Sequence, residues 1–327
     1  MAMIMFFAFV TNIVLARFTP LKYIFLTGHH TMFMATLVAV ILHTAGLSTT
    51  TVIISGSLLT GFLMVLMPAI AQPFTCKVTG SNELAMGHFS TLSYIIAGYI
   101  GEKWGNKERT TEHLNMPTAL LFLRDTPVAI SFTMSIFFLV SSLFAGQAYV
   151  SQLAQEQNWI VFSLIQSLRF AGGVYIILQG VKMLISEIIP AFKGISQKLV
   201  PGAKPALDCP MVFAYAPNAV LFGFISSFLA GIVVMLIQIY FCWTVIVPGV
   251  VAHFFLGATS GVYGNATGGF RGAILGSFVQ GLIISFLPML LIPVLGNLGI
   301  YSTTFSDMDF AVIGLFLGYI APFLGGL

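Results

Sequence analysis

The sequence predicts an all-α polytopic membrane protein, with about 8–10 transmembrane helices plus re-entrant hairpins. Three observations carry this. Hydrophobic residues make up 58% of the 327-residue chain and charged residues only 7%, against roughly 25% charged in a soluble domain. The mean hydropathy of +0.99 leaves too little polar surface to dissolve such a chain. The apolar residues also come in continuous runs of about 20, without the apolar–polar alternation of a membrane β-barrel strand.

The runs fall near 1–16, 23–45, 51–71, 126–149, 159–181, 211–242, 243–256, 272–297 and 309–327. The opening "MAMIMFFAFVTNIVLA" has no positive leader and no small-residue cleavage site, so it reads as a helix or the last part of one. The region 211–256 is long enough for two spans, with a break near Trp243–Pro248. Two shorter runs, 84–100 and 250–264, are too rich in Gly, Ser, Thr and Asn for plain lipid-facing helices.

Lys and Arg set the orientation. Arg17, Lys22, Lys77, Lys103, Lys107, Arg109, Arg124, Lys182, Lys193, Lys198 and Lys204 fall in loops that read as cytoplasmic. The turns at 46–50 and 148–158 carry no Lys or Arg. Both flanks of 84–100 are basic, so this run is predicted to enter the membrane and return to the same side. Backbone of that kind survives at membrane depth only when buried in protein or facing a watery cavity. The same reading puts the first residue outside, at the very start of a helix, and raises the expectation that upstream segments are missing.

Ionisable groups inside apolar sequence are functional candidates by default. Two Gly-His pairs stand out, Gly28-His29-His30 in "FLTGHHTMFM" and Gly87-His88 in "LAMGHFS". His30 also reads as an interfacial residue that snorkels or bonds a carbonyl. Asp208 lies in "PALDCPMVFAYAPN", where Pro205, Pro210 and Pro217 interrupt any helix, and broken helices expose backbone to substrate in transporters. Capping a helix is its structural alternative. Asn218 and Asn265 are amides in similar interrupted segments. His43 and His113 read as turn and loop residues, His253 is open, and Asp307 and Asp309 read as surface loop.

The isolated Cys76, Cys209 and Cys242 imply neither a disulfide framework nor a metal site. No hydrolase, zincin or P-loop motif occurs, so no cofactor, metal or catalytic residue is expected. Imidazoles, a carboxylate and amides in a neutral cavity suit a polyhydroxylated solute, with Phe, Tyr and Met against its apolar face.

"KYIFLTGHH", "AMGHF", "ILQGVKMLISEIIPAFKGISQKLVPGAKPALDCP" and "YAPNAVLFGF" resemble the ascorbate-type membrane permease, the IIC component, of the bacterial phosphotransferase system. The resemblance runs through nearly the whole chain, and "FKGISQKLVPGA…LDC…APNAV" is its most specific part. It implies a multi-pass homodimer in the cell (inner) membrane, an inverted-repeat transporter with a substrate core and a V-shaped dimer-forming domain. Residues 1–327 would form one permease domain, partial relative to the family. Core elements are expected around 23–45, 84–100, 205–220 and 250–270. A separate IIB subunit, fed by IIA, would phosphorylate the sugar acid, and the permease itself would carry no phosphorylated residue.

Carried over by position, His29, His88 and Asp208 match residues that touch ascorbate in the family. Two family glutamines are Phe33 and Phe89 here, which removes two amide hydrogen bonds, so the implied solute is ascorbate or a related sugar or sugar acid. An ion-coupled secondary transporter, with Asp208 and a histidine carrying protons, is the alternative. An intramembrane enzyme is disfavoured by the missing motifs. Family members are longer at the N-terminus, so the chain as written is expected to transport poorly alone.

Overall fold

The structure is a computed structural model that describes residues 1–113, 126–155, 157–198, 200–300 and 303–325. The far part of the basic loop, with Arg124, lies outside the described residues. The chain forms two compact units, one of Met1–Glu112 with Ile185–Leu327 and one of His113–Leu184.

The first unit opens with α1 (Ala2–Phe18), β1 (Tyr23–Phe25), α2 (Gly28–Thr44), α3 (Thr49–Thr79), β2 (Ala85–Met86) and α4 (Thr91–Trp104). Ser48 starts α3 by accepting the Thr51 N–H at 3.3 Å. Gly80 ends it in the left-handed conformation, φ 67°, where glycine has no Cβ penalty. The core lies between α2, α3 and α12 (Met308–Gly325), where Phe25, Met34, Leu37, Met64, Leu291 and Phe310 are buried together.

The second unit holds α5 (Thr126–Ala145), α6 (Gln147–Leu153) and α7 (Trp159–Lys198) up to Leu184. Hydroxyl pairs join α5 to α7, Ser135 to Ser167 at 2.9 Å and Ser142 to Ser163 at 2.7 Å. Such pairs hold helices together where the hydrophobic effect gives no drive between apolar faces.

The chain returns to the first unit at Ile185, within α7, and goes on to β3 (Lys204–Leu207), a 3₁₀ segment (Cys209–Tyr215) and α8 (Pro217–Tyr240). Beyond these come α9 (Val250–Ala252), a π-turn (His253–Gly257), α10 (Ala258–Leu291), the short α11 (Asn297–Ile300) and α12.

α10 is not one straight helix. Gly268 and Gly269 are non-helical, and Gly269 has φ 59°. A Cβ on Gly264 would strike the carbonyl of Gly272, and the Ser277 hydroxyl reaches the Gly257 carbonyl at 3.0 Å. Residues 20 apart on a straight helix would lie about 30 Å apart. The helix therefore folds back at Gly268–Gly269 into two arms, 258–267 and 270–291. The fold-back lies just after the 250–264 run, whose Gly, Ser, Thr and Asn set it apart from a plain lipid-facing helix.

By length and composition, four helical runs among the described residues could cross a membrane, the folded-back Val250–Val294 among them, and a fifth if the pair Ile130–Ala145 and Gln147–Leu153, bent by 115°, is one span. Two shorter apolar helices, Ala2–Phe18 and Met308–Ala321, add to them. Full spans are fewer than apolar runs because several runs are spent in half-helices.

Several basic residues of the first unit gather at one end. Lys22 and Lys204 stand at the starts of two parallel strands, and the Lys204 ammonium bonds Asn82 at 2.6 Å. Lys77, near the end of α3, pairs with Glu102 near the end of α4. That pair puts both flanks of the 84–100 hairpin at one level. Cysteines placed at Lys107 or Lys198 are thus expected to resist membrane-impermeant maleimide added outside intact cells. Ready external labelling would overturn the orientation.

Candidate functional site

The three strands form one parallel sheet in the order β1-β3-β2. Tyr23, Ile24 and Phe25 pair with Lys204, Pro205 and Ala206, and Ala85 and Met86 with Ala206 and Leu207. Buried Asn12 of α1 fastens β1, its amide donating to the Tyr23 carbonyl and accepting the Phe25 N–H, both at 3.0 Å. Parallel strands deliver their carboxyl ends to one place, where ligands commonly bind in open sheets. Here those ends lead into Gly28-His29-His30, Gly87-His88 and Asp208.

The two glycines have different reasons. A Cβ on Gly87 would strike the Ala206 carbonyl, so β2 can lie against β3 only with glycine there. Gly28 has open space around it and simply begins α2. Gly87→Ala is expected to destabilise the protein by about 1–3 kcal/mol through overpacking and to displace His88. Gly28→Ala is expected to melt close to the parent in a detergent thermal scan.

Asp208 sits between two imidazoles. Its Oδ2 is 3.5 Å from His29 Nε2 and its Oδ1 3.7 Å from His88 Nε2. Oδ1 also accepts the Cys209 N–H at 2.7 Å, so Asp208 caps the 3₁₀ segment as well. The Asp208 and His29 side chains are 37% and 52% exposed, while His88 is 4% exposed. The first two thus form the accessible wall, and His88 forms the floor.

The hydrogen bonds of His88 fix its tautomer. Its Nδ1 accepts the Ser90 N–H at 3.2 Å, so a neutral ring carries its proton on Nε2 and aims it at Asp208. The Tyr94 hydroxyl stands 3.0 Å from the same Nδ1. Tyr94 in turn packs on Tyr263, whose hydroxyl pairs with that of Thr75 at 2.7 Å.

Phe33 joins this cluster. It is 40% exposed and meets His29 edge to face at 6.3 Å. Phe89 does not line the open side. It is fully buried behind the cluster, stacked on Phe25 at 4.9 Å. Asn218 is placed elsewhere: its backbone N–H donates to Glu112 at 3.0 Å and its amide to the Thr111 carbonyl at 3.2 Å. Asn265 likewise accepts the Thr111 N–H at 2.9 Å.

Two expectations are corrected. Asp307 and Asp309 do not lie on a surface loop, since they are 8% and 0% exposed. Asp307 Oδ2 faces His88 Nδ1 at 3.6 Å and His30 Nδ1 at 3.9 Å. Asp309 accepts the Thr91 and Leu92 N–H groups at 2.8 and 3.0 Å. His30 is buried rather than interfacial, its ring centroid 3.7 Å from that of His88 and stacked on Phe310. No local signal marks these aspartates, because their partners lie more than 200 residues away in sequence. His253 is also buried, bonded to Ser227 at 2.8 Å and outside the cluster.

Among the described residues, three donor sets could hold a metal ion: His29, His30 and Asp208; His30, His88 and Asp307; and His88, Asp208 and Cys209. In the second, His88 Nδ1 already faces an N–H and a hydroxyl, which an ion there would have to displace.

Half-helices that fold back inside apolar surroundings, with a polar cluster beside them, are a feature shared with membrane transporters of the broken-helix kind. The chain is a multi-pass integral membrane protein. Residues 1–309 match the family EIIC-GAT, PTS system sugar-specific permease component, and the chain belongs to that family. It is also 27% identical over 302 residues to the ascorbate-specific PTS system EIIC component of Mycoplasma pneumoniae (strain ATCC 29342 / M129 / Subtype 1). That match covers 79% of this chain and 46% of the relative, so the chain spans about half the relative's length.

Proposed function

We propose that this chain is the membrane permease component of a phosphotransferase system in the bacterial cell (inner) membrane. It binds ascorbate or a related sugar or sugar acid and carries it to the cytoplasmic side, where a separate IIB subunit, charged by IIA, phosphorylates it. Two copies pair as a homodimer around this function, each with a substrate core and a dimer-forming part. The residues that hold the solute are His29, His88 and Asp208, with the Phe33 ring against one face.

The single observation that supports this reading most is the convergence of His29, His88 and Asp208 from three separate segments, with donor–acceptor separations of 3.5 and 3.7 Å. An imidazole and a carboxylate can each satisfy solute hydroxyls, and an unpaired buried polar group is costly. The partially exposed Phe33 ring offers an apolar platform where the family pattern has an amide, which favours a ring-shaped solute with one C–H face.

A second reading, proton-coupled transport, is favoured by one observation: Asp307 is buried between His30 and His88. Uptake assays separate the two. The permease reading expects uptake that needs the phosphoryl relay and survives a protonophore. Uptake that fails with the protonophore and ignores the relay would establish the second reading instead.

A further inference from the structure

We propose that the basic end of the first unit carries an anion site, built on Arg109 and Arg271, that takes a phosphate-bearing group. A cavity of about 320 Å³ is lined there by Asn106, Arg109, Phe270 and Arg271. It forms where the loop after α4 meets the turn of the α10 hairpin. The Asn106 N–H donates to the Gly268 carbonyl at 2.8 Å and the Phe270 N–H to the Arg109 carbonyl at 2.6 Å. A Cβ on Gly269 would strike the Asn106 and Arg109 carbonyls, so glycine permits this docking.

The two segments use backbone groups on each other, and Asn106, Arg109 and Arg271, which line the cavity, stay exposed. No ion pair among the described residues includes Arg109 or Arg271. The nearby carboxylate of Glu112 is engaged elsewhere, accepting the Asn218 and Ala219 N–H groups and the Thr111 hydroxyl. Asn106 Oδ1 accepts the Glu108 N–H at 3.0 Å, which leaves the amide nitrogen of Asn106 to donate.

Two arginines and an asparagine, with no acid among the described residues of the lining, suit an anion. Guanidinium forks match phosphate oxygens two at a time. A phosphate monoester carries about −1.5 to −2 charge, which balances both arginines, whereas a carboxylate balances one. The volume lies at the lower end of small-molecule pockets, room for the phosphate and part of its carrier.

The cavity is distinct from the solute cluster. It sits beyond the end of α4, a helix about 21 Å long that starts at the His88 loop, on the side that holds Lys77 and Lys103. Its bearing on phosphoryl transfer rests on the permease reading, but the binding itself does not. The phosphate can come from a soluble phosphorylated compound or from a lipid headgroup.

The test uses the purified protein in a neutral, phosphate-free detergent. Calorimetry with inorganic phosphate and with a sugar phosphate is compared for the parent, Arg109→Gln, Arg271→Gln, the pair, and Lys107→Gln as a basic neighbour outside the lining. Saturable binding that the pair weakens about tenfold to a hundredfold, with Lys107→Gln like the parent, is expected. Arg271→Lys keeps the charge but loses the fork, and should fall between. Native mass spectrometry with phosphatidylglycerol is the second arm. Lipid retained by the parent and lost in the pair assigns the site to a headgroup, and sugar-phosphate binding without that loss assigns it to a soluble ligand. Phosphate binding untouched by the pair, or weakened equally by Lys107→Gln, with no lipid difference, would overturn the proposal. Solute affinity at the His29 cluster should not change in the pair. Phosphate binding without any sugar or sugar-acid binding would count against the permease reading alone.

Discussion

Asp208→Ala is expected to weaken solute binding by on the order of tenfold to a hundredfold while the protein still melts near the parent's temperature. Asp208 is the carboxylate that faces both His29 and His88 among the described residues. Removing it takes away a charged hydrogen-bonding group and releases both imidazoles from their common partner. Its structural duty is small, a single bond to the Cys209 N–H at 2.7 Å, and loss of such a cap costs about 0.5–2 kcal/mol. Binding should therefore suffer more than folding. Asp208→Asn keeps an acceptor for the cap and is expected to restore stability but not affinity. Equal affinities in parent and alanine variant would remove Asp208 from the site.

Asp309→Leu is expected to do the reverse first, lowering stability by about 2–4 kcal/mol. The Asp309 carboxyl accepts the first two N–H groups of α4, and Ser90, the residue before that helix, makes no side-chain cap. Asp309 also lies in the first turn of α12, so one acidic group serves two helix starts, where negative charge is favoured. A leucine would leave the Thr91 and Leu92 N–H groups without their partner, and Thr91 is fully buried. The loop that carries His88 immediately precedes these donors, so solute binding should fall with stability. Asp309→Asn retains one acceptor and should recover much of the loss. A leucine variant that melts with the parent would show that the two helices are held by packing alone.

What was legible in the sequence was what local chemistry marks. The membrane class followed from composition. The Gly-His pairs and Asp208 were visible because polar groups interrupt apolar runs, and the 84–100 and 250–264 runs stood out because Gly, Ser, Thr and Asn crowd them. Asp307 and Asp309 were hidden, since "YSTTFSDMDF" reads locally as a polar turn and only tertiary structure sets it against residues 88–92. The three-stranded sheet was hidden too. Strands of 2–4 residues carry no periodic signal, and they are held by pairing across the chain and by Asn12. Phe89 shows the limit of carrying a role over by position: the residue after His88 turns away from the open side and stacks on Phe25.

The central claim is that a sugar or sugar acid occupies the His29–His88–Asp208 cluster. Modification of the histidines by diethyl pyrocarbonate, read residue by residue by mass spectrometry, tests it most directly. His29 is half exposed, and His43 is exposed on the far end of the same helix. Without solute both should react. Saturating ascorbate or a related sugar acid should protect His29 and leave His43 unchanged, and the protection should vanish in Asp208→Ala. His29 reacting at the same rate with and without every sugar and sugar acid tried would contradict the account.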